Sequence, residues 1–403
     1  LLLIGLWPAS ANAQQPVPIT LDKAIDIAMK NNADLSLARL NEKYYEQLKR
    51  NTFSADKAGV LMEYGQINSK ATDNKFSISQ GIDFPMVYQR QKNLARTDYR
   101  ISQLETRMKS ITVKAEVKRT FYELLALKEK SKLLDKADSL YVQFLEKVER
   151  RFALGDADVL ERSTARSQKL QIENQRLILQ AEYQMKLNEF ALLLNSKSLV
   201  EPEGEIQYLL MVNDTSISES PVVGLASEEI SRNINAQKLE KAQLYPSLMA
   251  TYNNLSFTGF QRVGDNEQYF DIQDRFSYVG FGLGIPLFHG AQRAKIRAAG
   301  VQVEASRLRL QTTRRQLSIR MRNTLAFYQE LNRQVTTTQT TLLPESKLIL
   351  DAAGKRMATG EIGYLEWVML VNQSIAIRNQ YIDLVQRKNE TAFELEQLNG
   401  TNQ

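Results

Sequence analysis

The sequence predicts a mainly α protein with a small β part, built as one unit written twice. Three observations predict it. Landmark residues recur at an offset of about 205. The stretch from Val87 to Phe152 contains neither Pro nor Gly. Each half also carries a pair of alternating segments ahead of its longest helical stretch.

The repeat is read from matched pairs in one order. Phe121-Tyr122 returns as Phe327-Tyr328, and Arg151-Phe152-Ala153-Leu154-Gly155 as Arg356-Met357-Ala358-Thr359-Gly360. Leu160-Glu161 returns as Leu365-Glu366, and Leu194-Asn195 as Leu398-Asn399. Gly81-Ile82 with Pro85 has its counterpart in Gly284-Ile285-Pro286. The expected order in each unit is helix, two strands, a very long helix, a Gly turn and a return helix.

Residues 1–13 read as a partial signal peptide. An apolar run, Leu1 to Leu6 with Trp7, precedes Ala11-Asn12-Ala13, an A-x-A cleavage pattern. The end of a transmembrane helix is the other reading of the same run. No other stretch approaches the roughly 20 apolar residues of a spanning helix, so a membrane-bound form has to use strands.

The first repeat covers 14–198. Thr20 is placed as an N-cap before Leu21, Ala24, Ile25 and Ala28. Asn31-Asn32 interrupts, and helix is expected to resume to about Lys57. A β-hairpin follows over about 60–84. Phe76, Ile78, Gln80, Ile82 and Phe84 alternate with Ser77, Ser79, Gly81 and Asp83. Large residues therefore share one face and small polar ones the other. The large face suits lipid and the small face a crowded or wet lumen, as in outer-membrane barrels; a soluble sheet also alternates this way. Leu61 to Asn68 is the expected partner strand.

A long helical hairpin is expected over about 86–195. Val87 to Phe152 alone gives a helix of roughly 100 Å at 1.5 Å per residue. Leu94, Ile101, Leu104, Met108, Ile111 and Ala115 mark a heptad seam. Leu124, Leu127, Ser131, Leu134, Asp138, Tyr141, Leu145, Val148 and Phe152 continue it, with Ser131 and Asp138 as interruptions. The return helix, about Asp158 to Leu194, is the neighbour this seam needs.

Residues 199–221 read as a linker, with Glu201 to Pro221 irregular. The second repeat covers 222–403. It carries a helix, a β-hairpin over about 247–286 and a long helical hairpin over about 291–399. Its strands are Ser247 to Phe257 and Tyr278 to Pro286, joined by a polar loop from Gly259 to Arg275. Pro344 is expected to interrupt the outgoing helix, and Tyr364 to Leu398 returns.

Composition removes several classes of chemistry. The 403 residues include no Cys and a single His, His289. Disulfides, thiol nucleophiles and thiolate metal sites are excluded, and a zinc or Ser-His-Asp centre would hang on one imidazole. Catalytic and metal residues are therefore expected to be none, and no cofactor is expected. The net charge of +6 is spread without a block of one sign. No cationic cluster alternates with stacking aromatics, which argues against nucleic acid as a partner. There is no Gly-x-x-x-x-Gly-Lys-Ser/Thr run to bind nucleotide.

This order of elements resembles the TolC family of outer-membrane efflux proteins over nearly the whole chain. The carrying motifs are Phe152 with Gly155, Val159, Leu160 and Glu161, then Gly360 with Tyr364, Leu365 and Glu366. Leu244-Tyr245-Pro246-Ser247-Leu248 resembles the family's Pro-containing strand entry. In the first repeat Ala58-Gly59-Val60 stands there instead. The resemblance implies a homotrimer in the outer membrane of a Gram-negative bacterium. Three protomers would close a 12-stranded β-barrel in lipid and extend a periplasmic α-helical barrel beneath it. It also implies two partners, a periplasmic adaptor (membrane fusion) protein and an inner-membrane pump, RND pumps among them. The function implied is a passive duct and not an enzyme.

The same resemblance makes the turns periplasmic tips that dock the adaptor, here Gly155, Asp156, Gly360 and Glu361. It makes Glu161 and Glu366 candidates for an acidic tip gate. Met369 replaces a further expected acid, and Met357 and Ile362 stand where some members carry a Tyr and an Arg of a closing network. Heavy-metal efflux systems belong to this family, but scattered Met and one His form no ligand cluster here. The rival classes are a periplasmic adaptor and a structural coiled-coil protein without a pore.

Overall fold

The structure, a computed structural model, describes residues 17–50, 53–68, 70–208, 210 and 220–400. The candidate signal peptide and part of the linker, residues 209 and 211–219, lie outside the described residues. Helices make up 71% of the described residues. Two compact units are formed, and each draws on both sequence repeats. The described residues of Leu1–Arg39, Thr106–Pro221 and Arg314–Gln403 form one, and Leu40–Glu105 with Val222–Thr313 forms the other.

The first unit is a helical body. Its elements begin with β1 (Val17–Ile19), α1 (Leu21–Asn31) and the start of α2 (Ala33–Arg50). Thr20 occupies the N-cap position of α1, but its side chain makes no capping bond. The functional cap is one helix later. Asn32 Oδ1 accepts the Leu35 amide at 3.0 Å, and its Nδ2 donates to the Leu193 carbonyl at 2.9 Å. The helix then stops at Arg50 rather than about Lys57. Asp56 is held as coil against the sheet, its carbonyl accepting from Gln80 Nε2 at 2.6 Å.

α3 runs without a break through Pro85–Ala153, 69 residues. Pro85 opens it, where its missing N–H costs nothing. α4 (Val159–Leu194) returns. In α3 the buried line follows the predicted seam at Ile111, Ala115, Leu124, Tyr141 and Val148 and departs from it elsewhere. Val113, Val117, Phe121 and Leu124 face α1 and α4, packing on Ala24, Ala28, Leu187, Phe190 and Leu194. Further along, Leu133, Ala137, Tyr141, Phe144 and Val148 are buried, and Ser131 is exposed. Asp138 leaves the seam to accept from Arg176 Nη1 at 3.0 Å.

The linker is less irregular than expected. β4 (Val200–Pro202) pairs in parallel with β1. Tyr208 N–H donates to Asn389 Oδ1 at 3.1 Å, and Asn389 Nδ2 donates to the Ile206 carbonyl at 2.7 Å. Lys118 Nζ, nearly buried, reaches Glu396 at 2.5 Å and the Tyr208 hydroxyl at 2.9 Å.

The second unit holds α5 (Pro221–Ala242) from Val222 onward and the sheet. β2 (Gly59–Gly65), β3 (Asp73–Ile82), β5 (Ser247–Leu255) and β8 (Phe276–Gly284) form one sheet in that order. All neighbours are antiparallel, and β3 to β5 joins the two repeats. The expected polar loop from Gly259 to Arg275 in fact holds a hairpin, β6 (Gly259–Val263) with β7 (Asn266–Phe270). Asp73, fully buried, accepts from Thr258 N–H at 2.8 Å and Ser256 Oγ at 3.2 Å. It thereby ties the β2–β3 turn to the start of that hairpin.

Register assigns the faces. Val60 lies opposite Ile78, Ile78 opposite Tyr252, and Tyr252 opposite Val279. With Met62, Tyr64, Phe281 and Leu283 they make one apolar face, exposed almost throughout, Phe281 at 86%. The other face carries Ser77 bonded to Asn253 at 2.8 Å and the Lys75–Glu63 pair at 2.9 Å. Among the described residues, no helix is long and apolar enough to cross a membrane.

The outgoing helix of the second repeat is α6 (Gly290–Thr337), which passes through a π-helical turn at Thr338–Leu342 into α7 (Leu343–Thr359). Pro344 thus widens the helix and does not end it, because the π turn absorbs the bond that Pro cannot donate. α8 (Tyr364–Asn399) returns.

Candidate functional site

The two Gly turns lie in the helical body, at the α3–α4 and α7–α8 reversals. Gly155 has φ +81° and Gly360 has φ +79°. Both reversals close in the same way. The amide after the glycine reaches back to a helix carbonyl, Asp156 to Arg151 and Glu361 to Arg356, each at 2.9 Å. This is the Schellman closure of a helix C-terminus. Asp158 then caps α4, accepting the Glu161 amide at 2.7 Å. Gly363 occupies the same position before α8 with no side chain to offer.

Beneath the turns the four helices share one core. Tyr141, Phe144 and Val148 of α3 and Ala165 of α4 meet Ala353 of α7 and Tyr364, Trp367 and Val371 of α8. Phe144 stacks on Tyr364 at 4.3 Å and on Trp367 at 4.8 Å. Tyr141 donates its hydroxyl to Asn372 Oδ1 at 2.7 Å. Burial, with the Glu161 charge nearby, pushes the Tyr364 hydroxyl up to about 12.

This packing brings the two predicted acids to one place. A cleft of about 410 Å³ is lined by Asp158, Leu160, Glu161, Gly363, Tyr364, Leu365 and Glu366. Glu161 is committed within it, accepting from Arg151 Nη1 at 2.8 Å. Arg151 Nη2 also donates to the Asp156 carbonyl at 2.7 Å, so one guanidinium ties the turn to α4. The second repeat uses a different acid. Arg356 pairs with Glu361 at 3.3 Å, and Thr359 Oγ1 donates to Glu361 at 2.9 Å. Glu366 is exposed and makes no hydrogen bond or ion pair among the described residues.

Around the acids the surface is apolar. Leu154, Val159, Leu160, Leu365 and Met369 are all exposed. Ile362 is buried, and Met357 packs against the shared core. Arg151 is the residue that sequence reading missed. Its ten-residue separation from Glu161 crosses a turn and follows no helical spacing. Among the described residues, no three His, Cys, Asp or Glu side chains are grouped to hold a metal ion.

The fold is that of a group of solved outer-membrane channels. The solved structures it matches include CusC, described in terms of folding and transmembrane channel formation, with TM-score 0.77 at 18% identity over 95% of this chain and 92% of that one. The CmeC outer membrane channel of Campylobacter jejuni gives 0.79 at 15% identity, over 94% and 85%. The outer membrane protein VceC of Vibrio cholerae gives 0.77 at 15%, over 94% and 96%. By family, residues 225–401 match the outer membrane efflux proteins. No curated protein matches the sequence.

Proposed function

We propose that the chain is one protomer of a homotrimeric duct that carries substrate passively out of the cell through the outer membrane. One observation carries this reading. The sheet has four antiparallel strands, one apolar face open to its surroundings, and two outer strands, β2 and β8. In lipid each unpaired backbone group costs several kcal/mol, so the outer strands have to be joined by other copies. A barrel of eight strands is filled by its own side chains, so two copies would leave no passage. Three copies give twelve strands and a lumen.

The cargo is delivered by an inner-membrane pump through a periplasmic adaptor. The turns at Gly155–Asp156 and Gly360–Glu361, with Leu154, Leu160 and Leu365 exposed beside them, are the proposed docking tips. Glu366, exposed in the cleft, is the acid available to narrow the mouth, and Glu161 serves first as the partner of Arg151.

The test is reconstitution of the full chain in planar bilayers, with the mass of the detergent complex measured in parallel. A conducting species of three copies is expected. A monomeric complex with an intact sheet, or trimers that conduct nothing in any condition, would overturn the reading.

A further inference from the structure

The two helices that leave the sheet directly, α3 after β3 and α6 after β8, open on the same sequence. Aligned at Gly81 and Gly284, an offset of 203, Gln89-Arg90-Gln91-Lys92 falls on Gln292-Arg293-Ala294-Lys295. Arg96 and Arg297 follow within a turn or so. Lys92, Arg96, Arg293, Lys295 and Arg297 are exposed, and Arg90 is half-buried. None of the six makes an ion pair among the described residues. Farther along the same helices some charged groups do pair. Asp98 holds Arg232 at 2.7 Å, and Arg309 meets Glu229 at 3.5 Å.

These cations sit where the apolar face of the sheet ends. Ile285, Leu287 and Phe288 are exposed just before α6, Phe288 at 97%. Phe84, exposed ahead of α3, stacks on Tyr245 at 5.0 Å. Gln292, within the repeated motif, fixes the first turn of α6. Its Nε2 donates to the Glu240 carbonyl at 2.8 Å and to Glu240 Oε2 at 2.7 Å. The segment 259–275 that holds the β6–β7 hairpin has the opposite balance, with Asp265, Glu267, Asp271 and Asp274 against Arg262 and Arg275. Aromatic side chains followed by Lys and Arg mark the boundary between hydrocarbon and head groups. A negative lipid surface attracts such cations only within a Debye length, about 10 Å at 0.1 M salt, so they have to lie at the rim.

We propose that this cluster, Arg90, Lys92, Arg96, Arg293, Lys295 and Arg297, binds the phosphates of anionic phospholipid head groups beside the sheet. The inference rests on the reading of the apolar sheet face as lipid-facing. It assigns the helix-side rim a preference for anionic over zwitterionic lipid.

The experiment uses the full chain reconstituted in bilayers with spin-labelled phosphatidylglycerol or phosphatidylcholine. Electron paramagnetic resonance reads the motionally restricted lipid at the protein surface. Phosphatidylglycerol is expected to be restricted preferentially, less so as salt rises. The preference should fall about tenfold in R90Q/K92Q/R293Q/K295Q and persist in the charge-keeping R90K/R293K. Equal restriction of both lipids by the natural chain, or a preference unchanged in the quadruple variant, overturns the inference. So does loss of the oligomer in that variant with lipid preference intact, which would make neighbouring copies the partners of these cations. The absence of any restricted lipid would instead sink the lipid-facing reading of the sheet.

Discussion

Gly155 and Gly360 turn the chain at positive φ, and a Cβ built on either would touch nothing within 4 Å. A larger residue there is therefore strained by its backbone alone. Gly360→Val is expected to cost about 1–2 kcal/mol, seen as a lower denaturation midpoint of the helical signal. The sheet belongs to the other compact unit, so membrane levels of the protein should hold while efflux falls. The turns were legible because a glycine that follows a helical stretch twice, at one spacing, marks a chain reversal at positive φ in both repeats. The division of labour between the acids was not, because Arg151 and Arg356 choose partners across a turn. Equal effects would be expected of Glu161 and Glu366 from sequence alone. With Glu161 engaged and Glu366 exposed, Glu366→Gln is expected to change cation selectivity in planar bilayers, most at low salt. Glu161→Gln is expected to act mainly on stability, through the loss of Arg151's partner. Equal conductance changes in both variants would remove this distinction.

At the scale of elements, the long helices and the four sheet strands were readable because each repeats its period many times. β1 and β4 were not, since three residues carry no pattern, and their pairing joins segments far apart in sequence. The β6–β7 hairpin was hidden for another reason: each face of its strands mixes apolar and polar residues, so alternation gives no signal. Buried polar anchors between elements can also be tested. Lys118 and Glu396 have side chains only 6% and 17% exposed. Lys118→Met leaves a buried carboxylate without its cation, and a loss of about 3–5 kcal/mol is expected. Replacing both partners by Met should cost less than the single change, and chemical denaturation of the two variants measures the difference. The β4 anchor is Glu201, which accepts from Tyr183 at 2.7 Å and pairs with Lys128 at 2.9 Å. The Tyr183 hydroxyl, then Lys128, holds its carboxyl below the usual range. A depressed carboxylate contributes stability that is complete above its unfolded value, about 4.3, and disappears as pH falls through the folded one. Acid should therefore loosen this strand pair, with a shallower pH dependence in Tyr183→Phe. Hydrogen exchange of the Val17 amide, bonded to the Leu199 carbonyl, reports it.

For the whole molecule, the closing step is the one that neither the repeat nor the helices determine. The sheet joins the repeats through β3 and β5 and leaves β2 and β8 outermost. The duplication therefore completes an open four-stranded sheet and not a closed barrel. In the proposed trimer, the register of β2 against β8 of the next copy would be set by closure of three sheets, information that no single chain's pattern contains. The chain has no Cys, so it offers a clean background for measuring that register. Single cysteines placed along Gly59–Gly65 and along Phe276–Gly284 can be combined pairwise and oxidised in membranes. In a closed assembly, at least one pair should bring Cβ atoms to the roughly 3.8 Å that a disulfide requires. That pair should yield covalent dimers and trimers, since each copy contributes both edges. The pairs two residues away on each strand should follow the same diagonal, because antiparallel register moves in opposite directions on the two strands. A ladder ending at three copies is the expected result, with no product from either cysteine alone. A ladder that runs past three copies would mean an open filament of sheets, and the absence of any cross-link along both edges would mean that β2 and β8 do not meet.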